Sequence, residues 1–429
     1  MEDEEFEAFV GVDWGEEEYE VCVLDGREEV LARNRIAHSG EAIGGLADWL
    51  AKTAKCAPDR IAVAIEIKRG ALVTELMERS CAVFFCNPKQ SNRFRDRHSL
   101  SGKKDDRLDA FVLADAVLKD RKKLRRIEPS HPQVPVLREL VKQHHDLTTR
   151  AVALGHQLRA QFHRYFPQML QLPGPVDAAW KLDLWEKAPT PEKAARLRRT
   201  TVEKILSRRR IRKVTAEQVV ETLRQPKLKV APGVTEAAVI GIRVLLPQIT
   251  LVREQRSHVD REMDRALETF GEEEQGEKNE QRDVEILRQL PGAGRLVVAT
   301  LLAEAHAELL ARDYQELRKL SGVAPVTIGT GKQCARKKRT SRHRKHKPKV
   351  RRRLARNARL SQAMHYWGAG AATHDLYWRA RLKDQLSRGQ SMGTACRNLA
   401  NSLLRTACAC LRDGVSYDPS KKSHAALAA

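Results

Sequence analysis

The tightest constraint on this chain is a run of three apolar segments set almost end to end, Phe9–Asp13, Tyr19–Asp25 and Val30–His38. At most five residues separate one from the next, with Gly26 in the second gap. Parallel strands joined through a helix need a dozen residues or more, so the spacing predicts an antiparallel meander. The pattern then changes to alternation. Glu41–Ala54 reads as helix, Arg60–Ile67 as a fourth strand, Ala71–Ser80 as helix, and Ala82–Cys86 as a fifth strand stopping at Asn87-Pro88. Residues 1–128 are therefore expected to form an α/β domain.

Three hairpin strands followed by alternating helix and strand is the order of RNase H-like sheets, in which the first and fourth strands are neighbours. That order brings together Asp13, at the end of Val10-Gly11-Val12, and Glu66, at the end of Ile61–Ile65. Asp106 and Asp109 stand three apart at the start of a helix and so share a face. Four carboxylates converging on one point repel unless divalent metal neutralises them. Oxygen ligands with nothing soft nearby select Mg²⁺, with Mn²⁺ possible, and the chemistry is phosphoryl transfer. Taken singly, each acid also has a bland explanation. Asp13 can open a turn, Glu66 can pair with Lys68 or Arg69, and Asp105, Asp106 and Asp109 suit a helix N-terminus.

After Pro132 and Pro135 the chain becomes helical. Leu137, Leu140, His144, Leu147, Ala151, Leu154 and Leu158 step by three and four, and a second seam runs from Ile242 through Leu245, Ile249, Val252, Val259 and Met263 to Phe270. Pro247 marks a helix start or kink inside it. The seams pair as an antiparallel coiled coil or join subunits. Residues 171–240 hold short helices, one opened by Thr215 with Gln218 at capping-box spacing. The middle region is thus 129–280, with a linker at Gly271–Asn279. A third, mainly helical region, 281–429, opens on Leu290-Pro291-Gly292-Ala293-Gly294, a helix-hairpin-helix-like element. Its Gly292 and Gly294 either offer backbone N–H groups to a phosphate or make a tight connection.

Charge names the partner class. Lys plus Arg number 78 against 56 acids, a net +22, although the first twenty residues hold ten acids and no base. Between Lys332 and Arg359 lie fifteen Lys or Arg and no acid, among them Arg336, Lys337, Lys338, Arg339, Arg342, Arg344, Lys345, Arg351, Arg352 and Arg353. Such a surface repels itself without phosphate and supplies sequence-independent affinity for nucleic acid. The acidic N-terminus is no signal peptide, no run reaches the apolar length of a membrane span, and the eight cysteines form no CxxC pair. A cytoplasmic, nucleoid-associated protein with reduced thiols is expected.

Several segments together resemble a known family. Val10-Gly11-Val12-Asp13, Ile65-Glu66 with Arg69-Gly70, Asn87-Pro88-Lys89-Gln90, Arg93-Phe94-Arg95-Asp96-Arg97 and Lys104-Asp105-Asp106-Arg107-Leu108-Asp109-Ala110 are similar to the N-terminal domain of the IS one-ten (IS110) family of DEDD transposases. Leu290-Pro291-Gly292-Ala293-Gly294 and Gly322-Val323-Ala324-Pro325-Val326-Thr327 resemble its C-terminal domain. The resemblance implies a RuvC-like domain using Asp13, Glu66, Asp106 and Asp109 with Mg²⁺, and a coiled coil that assembles a dimer or tetramer. It further implies a serine nucleophile forming a covalent phosphoserine with DNA, and a noncoding bridge RNA as guide. Where the family has Ser-Gly-Lys, this chain has Thr330-Gly331-Lys332, so Thr330 becomes the candidate nucleophile and Ser321 the fallback. The alternatives are a RuvC-like structure-selective endonuclease and a non-catalytic nucleic-acid scaffold.

Overall fold

The computed structural model describes residues 5–98, 105–129, 131–270, 278–328 and 349–420. Thr330, Lys332 and the basic residues from Arg336 to Lys345 lie outside these residues, as does most of the expected linker. The chain divides into two compact units, residues 1–129 and 130–429.

In the first unit β1 (Ala8–Trp14), β2 (Glu18–Asp25), β3 (Val30–Ala37), β4 (Ile61–Ile65), β5 (Ala82–Phe85) and β6 (Arg125–Arg126) form one sheet in the order β3-β2-β1-β4-β5-β6. The meander is antiparallel, while β1 pairs parallel to β4 with Val12 beside Ile65. Alternation assigns the two faces. Val10, Val12, Val21, Val63 and Ile65 point to the side covered by α1 (Gly40–Gly44), α2 (Leu46–Ala54) and α3 (Ala71–Glu78). Phe9, Cys22, Ala62 and Ala64 point to the other side, covered by α5 (Asp106–Asp120) next to α4 (Pro88–Arg95).

Small residues set how closely α5 lies on the sheet. A Cβ on Gly11 would come 1.9 Å from the Ala110 oxygen, so only glycine lets the helix backbone rest on β1. Ala62 and Ala64 of β4 continue this shallow track, which aims the start of α5 at the end of β1.

Two local expectations change. The helix expected over Glu41–Ala54 is broken into α1 and α2 at Gly45, because the adjacent Gly44 and Gly45 favour helix weakly. Asn87-Pro88, expected only to stop a strand, opens α4. Pro88 takes the first helical position, the Asn87 side chain accepts from the Lys89 N–H, and the Gln90 side chain accepts from the Asn87 N–H.

The second unit is helical. It contains α6 (Gln133–Tyr165), α7 (Gln168–Gln171), α8 (Ala179–Lys187), α9 (Pro191–Ala195), α10 (Arg199–Arg208), α11 (Ala216–Leu223), α12 (Val234–Thr269), α13 (Lys278–Gln289), α14 (Arg295–Leu310), α15 (Tyr314–Leu320), α16 (Ala358–His374), α17 (Leu376–Ser387) and α18 (Met392–Asp413). One two-stranded sheet, β7 (Pro325–Ile328) with β8 (Lys349–Arg352), interrupts them. Both seams are buried in one cluster, and α6 packs along α12. The two helices are antiparallel, because His144 lies 3.7 Å from Asp260 while Gly241 backs onto Gln161. Helix α12 starts earlier than its seam, at Val234 after Gly233 with φ 82°, and runs through Pro247 without ending. Among the described residues α12 alone is long and apolar enough, by length and composition, to cross a membrane. One side of it packs on α6, and the other leaves Ile240, Val244 and Leu251 more than half exposed. Between α13 and α14 the expected glycine turn is seen, with Gly292 at φ 72° and its missing Cβ only 2.1 Å from the Ala371 nitrogen of α16. On α18 the face with Cys396, Leu399, Leu403, Ala407 and Leu411 is buried as its spacing predicts.

Candidate active site

The site of the first unit grows from the end of β1. Asp13 is two residues beyond Gly11 and so lies on the α5 side of the sheet, where the first turn of α5 arrives. The Asp105 side chain caps that turn by accepting from the Arg107 N–H, which fixes Asp106 and Asp109 on the helix that follows. One carboxylate oxygen from each of Asp13, Asp106 and Asp109 lies within 4.8 Å of the others. Asp109 is buried, Asp13 half-buried and Asp106 exposed, so the cluster opens from the protein toward solvent.

This donor set fits a hard divalent ion. All three ligands are carboxylates, and ligands about 2.1 Å from one ion stand at most about 4.2 Å apart, close to the spacing here. Glu66 does not belong to this group of three. It follows the last residue of β4 and stands next in register to Asp13, continuing the face of Ala62 and Ala64. Just past β5, burial, with the Glu66 charge adding, pushes the Cys86 thiol up to about 12.

Three residues of this site have no role assigned by the sequence, although Arg95 stands in the Arg93-Phe94-Arg95-Asp96-Arg97 segment that carries the resemblance. Arg95 of α4 places its Nε 2.7 Å from the Asp109 carboxylate, with only a fifth of its side chain exposed. Glu20 stands opposite Asp13 on β2, buried, and Arg35 holds it through an Nε–Oε2 bond of 3.0 Å while Arg107 approaches at 3.6 Å. The available signal was alternation along β2. Glu20 falls on the face of Cys22 and Leu24, where an acid needs a cation, and Arg35 is its register partner on β3. Asp13, Asp106 and Glu20 line an open cleft with Glu16, Glu17 and Glu18, against which Arg35 is the one cationic wall residue among the described residues.

The ion pair at Asp109 is the first of a set of polar contacts made by the buried acids of α5, and Lys119 pairs with Asp115 at 2.7 Å. His98 Nε2 lies 3.0 Å from Asp115, and Arg97 and Lys123 both reach Asp120 at 2.5 Å. The Lys123 hydrogen bond foremost, with Arg97 beside it, holds the Asp120 carboxyl below its usual range. Helix α5 thus buries three acids, each with a cation from nearby chain, and its position under the sheet is fixed by charge as well as by packing.

In the second unit Arg351 and Arg352 lie on β8, opposite Val326 and Pro325 of β7, and Arg353 follows directly. The Gly-Val-Ala-Pro-Val-Thr segment and the described part of the basic run therefore form one hairpin. Gly292 is pressed against α16, while Gly294 is exposed at the start of α14. Ser321 is buried and donates to the Arg318 oxygen at 3.4 Å.

Comparison with known proteins bears on both units. A family model of the DEDD IS110 type, described as a transposase, matches residues 10–167, and one described as "Transposase IS116/IS110/IS902 family" matches residues 284–373. "Putative transposase y4uE" of Sinorhizobium fredii is 41% identical over 209 residues, 48% of this chain and 58% of that relative. The chain thus spans little more than half the length of that relative. "Mini-circle putative transposase for IS117" of Streptomyces coelicolor is 27% identical over 426 residues, 97% of each chain.

Proposed function

Since the chain belongs to the IS110 family of transposases, we propose that it cuts and rejoins DNA by Mg²⁺-dependent phosphoryl transfer, mobilising its own insertion sequence under the guidance of a noncoding bridge RNA. The observation that carries the reading is the meeting of Asp13, Asp106 and Asp109 within one ion's reach. The first unit is read as RNase H-like on its strand order, with Glu66 as the fourth acid of the tetrad.

The roles follow from the side chains. Asp13, Asp106 and Asp109 hold Mg²⁺, or Mn²⁺, with Glu66 beside them, and Arg95 keeps the buried Asp109 carboxylate in place before the ion arrives. When bound, the metal polarises the scissile phosphate and stabilises the departing oxygen. The Thr330 hydroxyl attacks phosphorus, so that a P–Oγ bond forms as the bond to the leaving sugar oxygen breaks, and the hydroxyl proton is released. The extra methyl of threonine restricts χ1 and crowds this approach relative to serine, which slows the step. Lys332, Arg336, Lys337, Lys338, Arg339, Arg342, Arg344, Lys345, Arg351, Arg352 and Arg353 hold the phosphate backbone, with Gly292 and Gly294 at the turn. Ile240, Val244 and Leu251, exposed on α12, support assembly into a homo-oligomer.

The threonine also favours a second reading, a RuvC-like endonuclease in which metal-activated water attacks and no protein ester forms. One experiment separates them. The protein is purified with its co-expressed RNA and incubated with element-flanking DNA and Mg²⁺, and the mixture is searched for a covalent adduct. An adduct at Thr330, lost together with rejoining in Thr330→Ala, supports the transposase. Cleavage untouched by Thr330→Ala, with no adduct, supports the endonuclease.

A further inference from the structure

The second unit contains a cationic cavity that the phosphoryl-transfer chemistry does not use. It has a volume of about 470 Å³ and lies between the β8 end of the hairpin, the start of α16 and the start of α18. Arg352, Arg356 and Arg397 line it with the hydroxyls of Ser361, Ser391 and Thr394, and among the described residues no Asp or Glu belongs to the lining. Among the described residues none of the three guanidiniums is within ion-pair distance of a carboxylate. The segment 329–348, which joins the two hairpin strands, contains no acid that could neutralise them. Partial desolvation, and then repulsion from Arg356 and Arg397, holds the largely exposed Arg352 below its ordinary pKa, and burial does the same to Arg397. Three cations in one concavity, with no carboxylate among the described residues within ion-pair distance, repel one another and favour an anion between them.

The cavity is also shaped in advance. Arg356 packs against Gly322, where a Cβ would meet its Cδ at 2.4 Å, and donates to the carbonyls of Arg353 and Leu354. Its buried Nε has no hydrogen-bond partner among the described residues. Arg397 donates to the Thr394 hydroxyl at 3.2 Å, and that hydroxyl in turn meets Ser391, the N-cap of α18. Among the described residues the first two N–H groups of this 22-residue helix, from Met392 and Gly393, meet no hydrogen-bond acceptor, and nothing crowds the missing side chain of Gly393. Donors, fixed charge and a helix N-terminus thus face one space.

We propose that this cavity is a binding site for the phosphodiester backbone of a polynucleotide strand, held by Arg352, Arg356 and Arg397 at the N-terminus of α18. The inference rests on the reading of a nucleic-acid enzyme above and specifies where one strand is seated, giving a role to Arg356, inside the basic run, and to Arg397, outside it. Guanidiniums match phosphate oxygens two at a time, which a solvated lysine surface does not. DNA and RNA backbones share this chemistry, so the test has an arm for each.

The experiment measures fluorescence anisotropy of the full chain with a labelled single-stranded DNA and with an RNA of the same sequence, at salt from roughly 50 to 200 mM. Arg352→Gln/Arg397→Gln is expected to weaken binding about tenfold at the lower salt and to reduce the slope of log K against log salt by about 1.4, two contacts' worth. The strand showing that change is the occupant. Arg352→Lys/Arg397→Lys retains the slope while losing part of the affinity. Arg243→Gln/Arg261→Gln, which removes equal charge from the exposed side of α12, leaves the slope unchanged. If the glutamine pair does not fold, Arg352→Gln alone, at an exposed position, is read for half the slope change. The site is refuted if the glutamine variants keep the wild-type slope, or if the α12 control falls as far. Should wild type bind neither strand, the functional reading itself fails. Should wild type bind and the variants bind equally well, only the cavity is lost.

Discussion

The two units solve opposite problems of like charge. In the first, Asp13, Asp106 and Asp109 draw together around a space sized for one small divalent ion, and the buried member already has Arg95 at 2.7 Å. In the second, Arg352, Arg356 and Arg397 surround about 470 Å³ with no acid among the described residues of the lining. A compact cluster of carboxylates calls for a small concentrated cation, whereas a wide arginine concavity calls for an extended anion. The difference teaches that net charge alone is a poor guide to this chain. Its +22 conceals one strongly acidic cleft, and phosphate can enter that cleft only when a cation screens it.

The comparison breaks most sharply if the acidic cluster also serves binding. Asp13→Asn is expected to lower Mg²⁺-dependent cleavage of flanking DNA on the order of a thousandfold, about 4 kcal/mol of barrier, while leaving DNA affinity unchanged. Gel-shift titration beside single-turnover cleavage measures both. A parallel loss of affinity would mean that the cleft is part of the nucleic-acid surface and that the division of labour is wrong.

The next effect tests whether Arg95 stands in for metal. Arg95→Gln leaves the Asp109 carboxylate buried without its guanidinium, which should destabilise the first unit by about 3 kcal/mol. Millimolar Mg²⁺ should restore much of this in the variant and far less in wild type, because the ion supplies the missing positive charge. Thermal melting with and without the metal decides. Equal rescue of both proteins would detach Arg95 from the metal site.

How much of this was legible in the chain follows the range of the interactions. The meander, the β1 and β4 neighbourhood and the start of α5 are local patterns, and the structure has them where the spacing put them. Asp13, Asp106 and Asp109 could be named because each ends or begins an element. Arg95 and Arg35 could not be, since each is defined by a partner in another element and both belong to a chain already rich in arginine. The cavity at Arg397 was hidden for the same reason, its walls coming from segments up to 74 residues apart. The two seams were visible by period, but period alone left open whether they pair within the chain or between chains, and contacts such as His144 with Asp260 place α6 on α12.

A third expectation contrasts the titration of the units. Burial foremost, with His131 and Arg138 nearby, pushes the His306 imidazole of α14 down to about 4. Above pH 6.5 the imidazole is neutral folded and unfolded, and its environment costs nothing. As pH falls below 6.5 the unfolded chain binds a proton that the folded chain refuses until about pH 4, so stability drops through that window. Between pH 7 and pH 5 the second unit should lose about 2 kcal/mol, and His306→Gln should flatten that limb. Denaturant melts of both proteins at the two pH values measure the difference, and an equal loss in the variant would assign the effect to other groups.

The smallest effect is the most discriminating, because the same device occurs in both units. Asn87 with Gln90 opens α4, and Thr215 with Gln218 opens α11, each as a capping box. Replacing either N-cap by alanine should cost about 1 kcal/mol of stability. Only Asn87 caps the helix that ends in Arg95, and Arg95 holds Asp109 at the candidate metal site. A frayed α4 loosens that guanidinium and with it the carboxylate, so Asn87→Ala should raise the Mg²⁺ concentration needed for half-maximal cleavage several-fold. Thr215→Ala should lower the melting temperature similarly and leave that concentration alone. If both variants shift the metal requirement equally, the change reports global stability, and α4 has no special part in ordering the site.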